Sequence, residues 1–148
     1  MIRRWNPPGP AAPLGRYSHL ATAPADHELL MISGQVGVLE DGTLAGPDAE
    51  SQARQVFANI ESLLRSAGAG PEHLIKLFTM LSGTEHLAGS RAAQGEVFAR
   101  WYPRGESNQL HTTSPSPRSS CWDRGERWNR ASLRSATFSA RLSAGSYC

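Results

Sequence analysis

Ser33, Gly34 and Gln35 sit inside an apolar run, ELLMISGQVGVL (28–39), where a hydroxyl, a bare backbone and an amide interrupt strand-forming sequence. Interior glycines weaken a strand, so Gly34 and Gly37 mark either a bulge or a place where another group approaches the backbone closely. A small ligand meeting that backbone and hydroxyl is the functional reading; a plain bulge is the structural one. Tyr17, in RYSHLATA (16–23), reads from the residues alone as an aromatic packed at a strand end. Ser33 has no evident His–Asp partnership, which argues against an activated nucleophile. His19, His27, His73 and His86 show no ligand spacing and no cysteine partners, so no metal site is expected. Cys121 and Cys148, the only cysteines, stand far apart in a stretch rich in Ser and Arg, and suggest neither a nucleophile nor a disulfide framework.

The elements that would carry these residues follow from pattern. NPPGPAAPLG (6–15) is an irregular or extended lead-in. Residues 16–23 alternate in strand fashion and stop at Pro24, residues 28–39 form an apolar strand, and EDGT (40–43) is a turn. DAESQARQVFANIESLLRSAG (48–68) predicts a helix with Asp48 as N-cap and Gly68 as terminator. Its apolar stripe is Ala53, Val56, Phe57, Ile60, Leu63, Leu64 and Ala67. PEHLIKLFTMLS (71–82) is apolar on both faces, as a strand in the middle of a sheet would be. TEHLAGSRAAQGEVFARWY (84–102) predicts a second helix, N-capped by Thr84, with an irregular face of Leu87, Ala88, Ala92, Val97, Phe98 and Trp101. This order points to an α+β layer that needs at least one further apolar strand after the second helix.

Residues 104–148 do not offer one: Leu110, Leu133 and Leu142 are their only large aliphatics. The 148-residue chain carries a net charge of +2, and the balance is uneven. Residues 1–103 hold seven Arg and Lys76 against ten Asp or Glu, a net −2, whereas residues 104–148 hold seven Arg against Glu106, Asp123 and Glu126, a net +4. Two units are therefore expected, an incomplete domain over 1–103 and a Ser/Arg-rich tail over 104–148 that is disordered or aberrant. No run approaches the ~20 apolar residues that span a bilayer, and no apolar h-region follows the arginines of MIRRWNPPGP. A cytoplasmic protein without membrane association is the expectation.

At GRYSH (15–19), ISGQVG (32–37), AESQARQVFANIESLLRSAG (49–68), HLIKLFTML (73–81) and GEVFARWYP (95–103), the chain resembles the RidA/YjgF (Rid, reactive intermediate imine deaminase) family, over roughly residues 6–103. The S-G-Q strand followed by the Q-A-R-Q-x-x-x-N-I helix is specific in combination. The resemblance implies a chorismate-mutase-like fold, a sheet backed by two helices, and a homotrimer with clefts between neighbouring subunits. Family members hydrolyse reactive enamines and imines, such as 2-aminoacrylate and its imine, to 2-keto acids and ammonia, without a metal or organic cofactor. Tyr17 matches the tyrosine of the family's G-P-Y motif, with Arg16 here in place of proline, and the match implies a substrate-binding cleft residue. Ser33, Gly34 and Gln35 match the S-G-Q strand that lines the cleft and binds substrate. Gly95 stands where many members carry a substrate-side Asn.

Two family parts have no counterpart. The carboxylate-binding Arg of a P-A-R motif is missing, since Arg104 directly after Pro103 lies too early, and Glu106, Asp123 and Glu126 have no context matching the family's water-positioning Glu. No catalytic residue is therefore assigned, the last strand or strands are expected to be missing or non-native, and weak or absent deaminase activity is expected. The upstream region is heavy in Ala, Gly and Arg with a single Lys, the mark of a GC-rich gene. Out-of-frame translation of such DNA yields Arg, Ser, Pro, Trp and Cys, so the tail reads as a reading-frame change near residue 104. That reading expects another frame across codons 100–110 to encode an apolar strand. A non-catalytic small-ligand-binding or interaction trimer of the same fold is the alternative function. RNA binding or cleavage through the basic tail, with Trp122 and Trp128 to stack bases, is disfavoured because the arginines are scattered.

Overall fold

Asp48 and Gly68 bracket the first helix through their own chemistry. Helix α1 spans Ala49–Ser66, and the Asp48 carboxylate accepts the Ser51 N–H at 2.8 Å and the Ser51 hydroxyl at 2.7 Å. Just past the last turn Gly68 takes a φ of +68°, the left-handed conformation that ends helices cheaply in glycine. The computed structural model describes residues 2–103, together with the backbone of residues 110–115 and 136–143. Its elements are β1 (Arg3–Trp5), β2 (Leu20–Thr22), β3 (His27–Gln35), α1, β4 (Leu74–Leu81), α2 (Leu87–Trp101), β5 (Leu110–Pro115) and β6 (Ala136–Ser143).

The strands make a two-stranded ribbon, β1–β2, and a four-stranded sheet ordered β3–β6–β4–β5. Among the described strands only the β4–β5 pair is parallel, with α2 as its crossover. Strand β4 has a neighbour on either side, in keeping with its two apolar faces. Residues 110–115 and 136–143 fill the places where the apolar pattern offered no strand: β6 pairs antiparallel with both β3 and β4. Sheet ladders are made by main-chain N–H and C=O groups that nearly every residue carries, so sequences as polar as LHTTSP and ATFSARLS can occupy them. Arg104, Glu106, Cys121, Trp122, Asp123, Glu126, Trp128, Leu133 and Cys148 lie outside the described residues.

Other boundaries also shift. Residues 16–19 precede β2 rather than belonging to it, because they are tied into the lead-in instead of a ladder. The His19 N–H donates to Asn6 Oδ1 at 2.8 Å, and His19 Nε2 lies 2.8 Å from the Ala11 carbonyl. Thr84 does not cap α2; it opens a 3₁₀ turn, Thr84–His86, and His86 occupies the cap position without a side-chain bond. The buried face of α2 is Ser90, Ala93, Val97 and Phe98, while Ala88 and Ala92 are exposed. Small residues on that face let the two helices touch, and a Cβ at Gly89 would come 3.2 Å from the Glu50 nitrogen.

Contacts between the helices rise in step along both. Arg54 Nε bonds Glu96 at 2.8 Å, Phe57 meets Phe98 and Trp101 edge-on at 5.9 and 5.6 Å, and Arg100 bonds Glu61 at 2.7 Å. The helices therefore run side by side in the same direction. Between them and the sheet lies one main cluster built on Ile32, Phe57, Ile60, Leu64, Leu77 and Phe98. Ile60 and Leu64 are fully enclosed, each worth about 1.5–3 kcal/mol of transfer free energy. Leu63, expected in the α1 stripe, is exposed, and Ala67 is half-buried. Leu29 and Met31 alternate with the more enclosed Leu30 and Ile32 and are 54% and 58% exposed, so that face of β3 is open to solvent among the described residues. No helix of the described residues is long and apolar enough to cross a membrane.

Candidate functional site

Strand β3 breaks where its glycine predicts. Its register with β6 runs from His27 opposite Ser143 to Ile32 opposite Phe138, then slips and resumes at Gln35 opposite Ala136. Ser33 and Gly34 lie in that bulge, both exposed. The Gln35 side-chain amide folds back over it, donating to the Ser33 carbonyl at 3.2 Å and to the Gly34 carbonyl at 3.4 Å. A bulge can present backbone and hydroxyl to a ligand because those two residues no longer sit in the regular ladder.

The polar residues of α1 hold the chain that follows. Asn59 Nδ2 donates to the carbonyls of Val36 and Val38 at 3.3 and 3.1 Å, and Gln55 donates to Asn59 Oδ1 at 2.8 Å, orienting that amide. Gln52, fully buried, donates to the Gly46 carbonyl at 2.9 Å. Gly37 lies against the same helix so closely that a Cβ there would stand 2.6 Å from Gln52 Cα. The Q-A-R-Q-x-x-x-N-I pattern thus has a physical meaning: Gln52, Gln55 and Asn59 fasten the loop beyond the bulge, and Arg54 ties α1 to α2 through Glu96.

Tyr17 sits elsewhere. Its ring packs edge-on to His19 at 5.9 Å, and it borders a cavity of about 430 Å³. Residues 14–17 form one wall; Arg91, Gln94, Gly95 and Phe98 form the other. Those four α2 residues follow i, i+3, i+4, i+7 spacing and so share one helix face. Among the described residues a Cβ at Gly95 would meet nothing within 4 Å, so the glycine leaves the cavity floor open. Ser33, Gly34 and Gln35 are not among the residues lining it. Among the described residues of one chain, the candidate positions therefore form two groups, the β3 bulge and the Tyr17 cavity.

Arg91 and Gln94 were not singled out by sequence reasoning, although their spacing from Gly95 and Phe98 would have found them once α2 was placed. Arg16 came into view only as a departure from a motif. The histidines are engaged locally: His27 Nδ1 lies 2.9 Å from Asp26, and His73 Nδ1 accepts the Gly70 N–H at 3.0 Å. Among the described residues, no three His, Cys, Asp or Glu side chains gather as metal ligands would.

Comparison with known proteins fits this geometry. The family model for Endoribonuclease L-PSP matches residues 9–112, past the end of the last motif at Pro103. The RutC family protein YjgH of Escherichia coli (strain K12) is 35% identical over 79 residues, which span 50% of this chain and 60% of that protein. The match therefore covers less than two thirds of that relative. Among solved structures, the conserved Rid-family protein YyfB from Yersinia pestis, of unknown function, aligns with a TM-score of 0.69 and 23% identity over 95% of this chain and 98% of its own. The yjgF gene product from E. coli aligns at 0.59 and 16% over 93% of this chain and 91% of its own. The structural likenesses establish the α+β fold, and the family model the descent: the chain belongs to the Endoribonuclease L-PSP family, that of the RidA/YjgF proteins.

Proposed function

We propose that this protein is built to hydrolyse reactive enamine and imine acids of the 2-aminoacrylate type to 2-keto acids and ammonia, with turnover well below that of an intact family member. The observation that supports the reading is the Ser33–Gly34 bulge, where exposed backbone and a hydroxyl stand beside a loop fastened by Gln52, Gln55 and Asn59. The chemistry asks for little. Water adds to the carbon of a C=N bond that is already electrophilic; one water proton and then the hydroxyl proton pass to nitrogen, the C–N bond breaks, and ammonia leaves as the C=O forms. The protein must hold the acid and position the water, and a positioned donor speeds proton delivery to the amine.

The uncovered face of β3, carrying Leu29 and Met31, supports assembly as a homotrimer with clefts between subunits. Such assembly is the means by which the β3 bulge of one subunit and the Tyr17 cavity of its neighbour would share one ligand. Ammonia release from freshly generated 2-aminoacrylate tests the reading: slow enzyme-dependent release above the buffer rate is expected, and release no faster than buffer refutes it. Turnover equal to that of an intact member would refute the reduced rate.

A non-catalytic ligand-binding trimer is the second reading. It is favoured by the Tyr17 cavity, which among the described residues is lined by no carboxylate or histidine to act as a general base.

A further inference from the structure

The family pattern leaves this chain without its motif arginine, yet the cavity beside Tyr17 is bordered by two others. We infer that Arg16 and Arg91 form a carboxylate-binding subsite of this chain's own, with Tyr17 as an added hydroxyl donor. The choice of a carboxylate rests on the small-acid reading above; the placement rests on geometry alone.

Both arginines line the cavity, Arg16 from the 14–17 segment and Arg91 from α2. Arg16 lies at the end of α2, where its Nη2 donates to the Tyr102 carbonyl at 3.4 Å, a long bond that is its one side-chain hydrogen bond among the described residues. Arg91 makes no ion pair among the described residues, unlike Arg54 and Arg100, which are held by Glu50, Glu96 and Glu61. Among the described residues neither cation has a carboxylate partner, two such cations at one cavity favour an anion there, and a planar fork suits two carboxylate oxygens better than an ammonium does. Leu14 and Phe98 supply apolar walls for a short carbon chain, and the open floor at Gly95 gives it room. Both arginines are exposed, so the subsite discriminates by charge and shape, and its affinity falls with salt.

The test is calorimetric titration of the intact protein with pyruvate, using its neutral amide as control. Pyruvate binding that the amide does not reproduce, weakened about tenfold to a hundredfold in Arg91→Ala and in Arg16→Ala, is the expected result. Arg91→Lys keeps the charge and loses the fork, so it should fall between parent and alanine variant. Gly95→Leu, which grows into the cavity from a position where an added Cβ meets no described atom within 4 Å, should abolish binding while thermal unfolding shows the fold intact. No pyruvate binding, equal binding of the amide, or binding unchanged in both alanine variants overturns the inference. Arginine-dependent binding without ammonia release would sustain it and sink the deaminase reading. Ammonia release with an unchanged KM in both variants would do the reverse.

Discussion

Replacing Gly37 by alanine adds one methyl group at the closest approach between the loop after β3 and α1. That methyl would stand 2.6 Å from both Cα and Cβ of Gln52 and 2.7 Å from its carbonyl oxygen. Main-chain atoms of a helix cannot swing aside, so the loop must move outward. Outward movement lengthens the Asn59 bonds to Val36 and Val38 and disturbs the fully buried Gln52 bond to Gly46. Overpacking of this kind costs about 1–3 kcal/mol, and each weakened amide bond adds about 1 kcal/mol. For a chain of this size that amounts to a melting temperature lower by roughly 2–12 °C from the overpacking alone. Gly95→Ala is the matched control. No described atom lies within 4 Å of its added Cβ, and it sits in the interior of α2, so the same substitution should stabilise by about 1 kcal/mol. Urea unfolding followed by tryptophan fluorescence measures both. A Gly37→Ala variant as stable as the parent, or the same sign at both glycines, would refute the argument that helix contact rather than local flexibility requires glycine at 37.

The Asp48 carboxyl is held below the usual carboxylate range because the Ser51 N–H and hydroxyl donate to it. A depressed folded pKa means the cap contributes its stability above the unfolded value of ~3.9 and loses it as pH falls through the folded value. Asp48→Asn keeps a cap of similar strength, so thermal melts between about pH 2 and pH 7 should show a shallower acid loss; an unchanged profile would exclude Asp48 as a contributor. Met31→Lys places a charge on the uncovered face of β3. Light scattering should then report a smaller particle than the parent's, and an unchanged mass would show that this face does not join subunits.

Much of the architecture was legible because it depends on local chemistry. The α1 boundaries follow from one carboxylate and one glycine, its core stripe from helical spacing, and the β3 bulge from a glycine where a strand has no use for one. Boundaries failed where tertiary contacts replaced local signals. The segment 16–19 reads as strand by alternation but is stitched to Asn6 and Ala11 by His19. Thr84 reads as a cap but falls in a 3₁₀ turn. Ser90, a polar side chain, carries no apolar signal for the α2 face, yet it is buried there and its small size lets α2 lie against α1.

The sequence by itself determined the family, two helices behind a sheet, and the positions Tyr17, Ser33, Gly34 and Gln35 as cleft candidates, all of which rest on side-chain type and spacing along one stretch of chain. Only the tertiary structure decided that the bulge and the Tyr17 cavity are separate places within a chain, and that polar segments stand beside β3 and β4. It alone brought Arg16 and Arg91 to one cavity across 75 residues of sequence. The physical reason is common to all three: backbone pairing and the meeting of a loop with a helix face are set by how elements pack, which no window of neighbouring residues encodes.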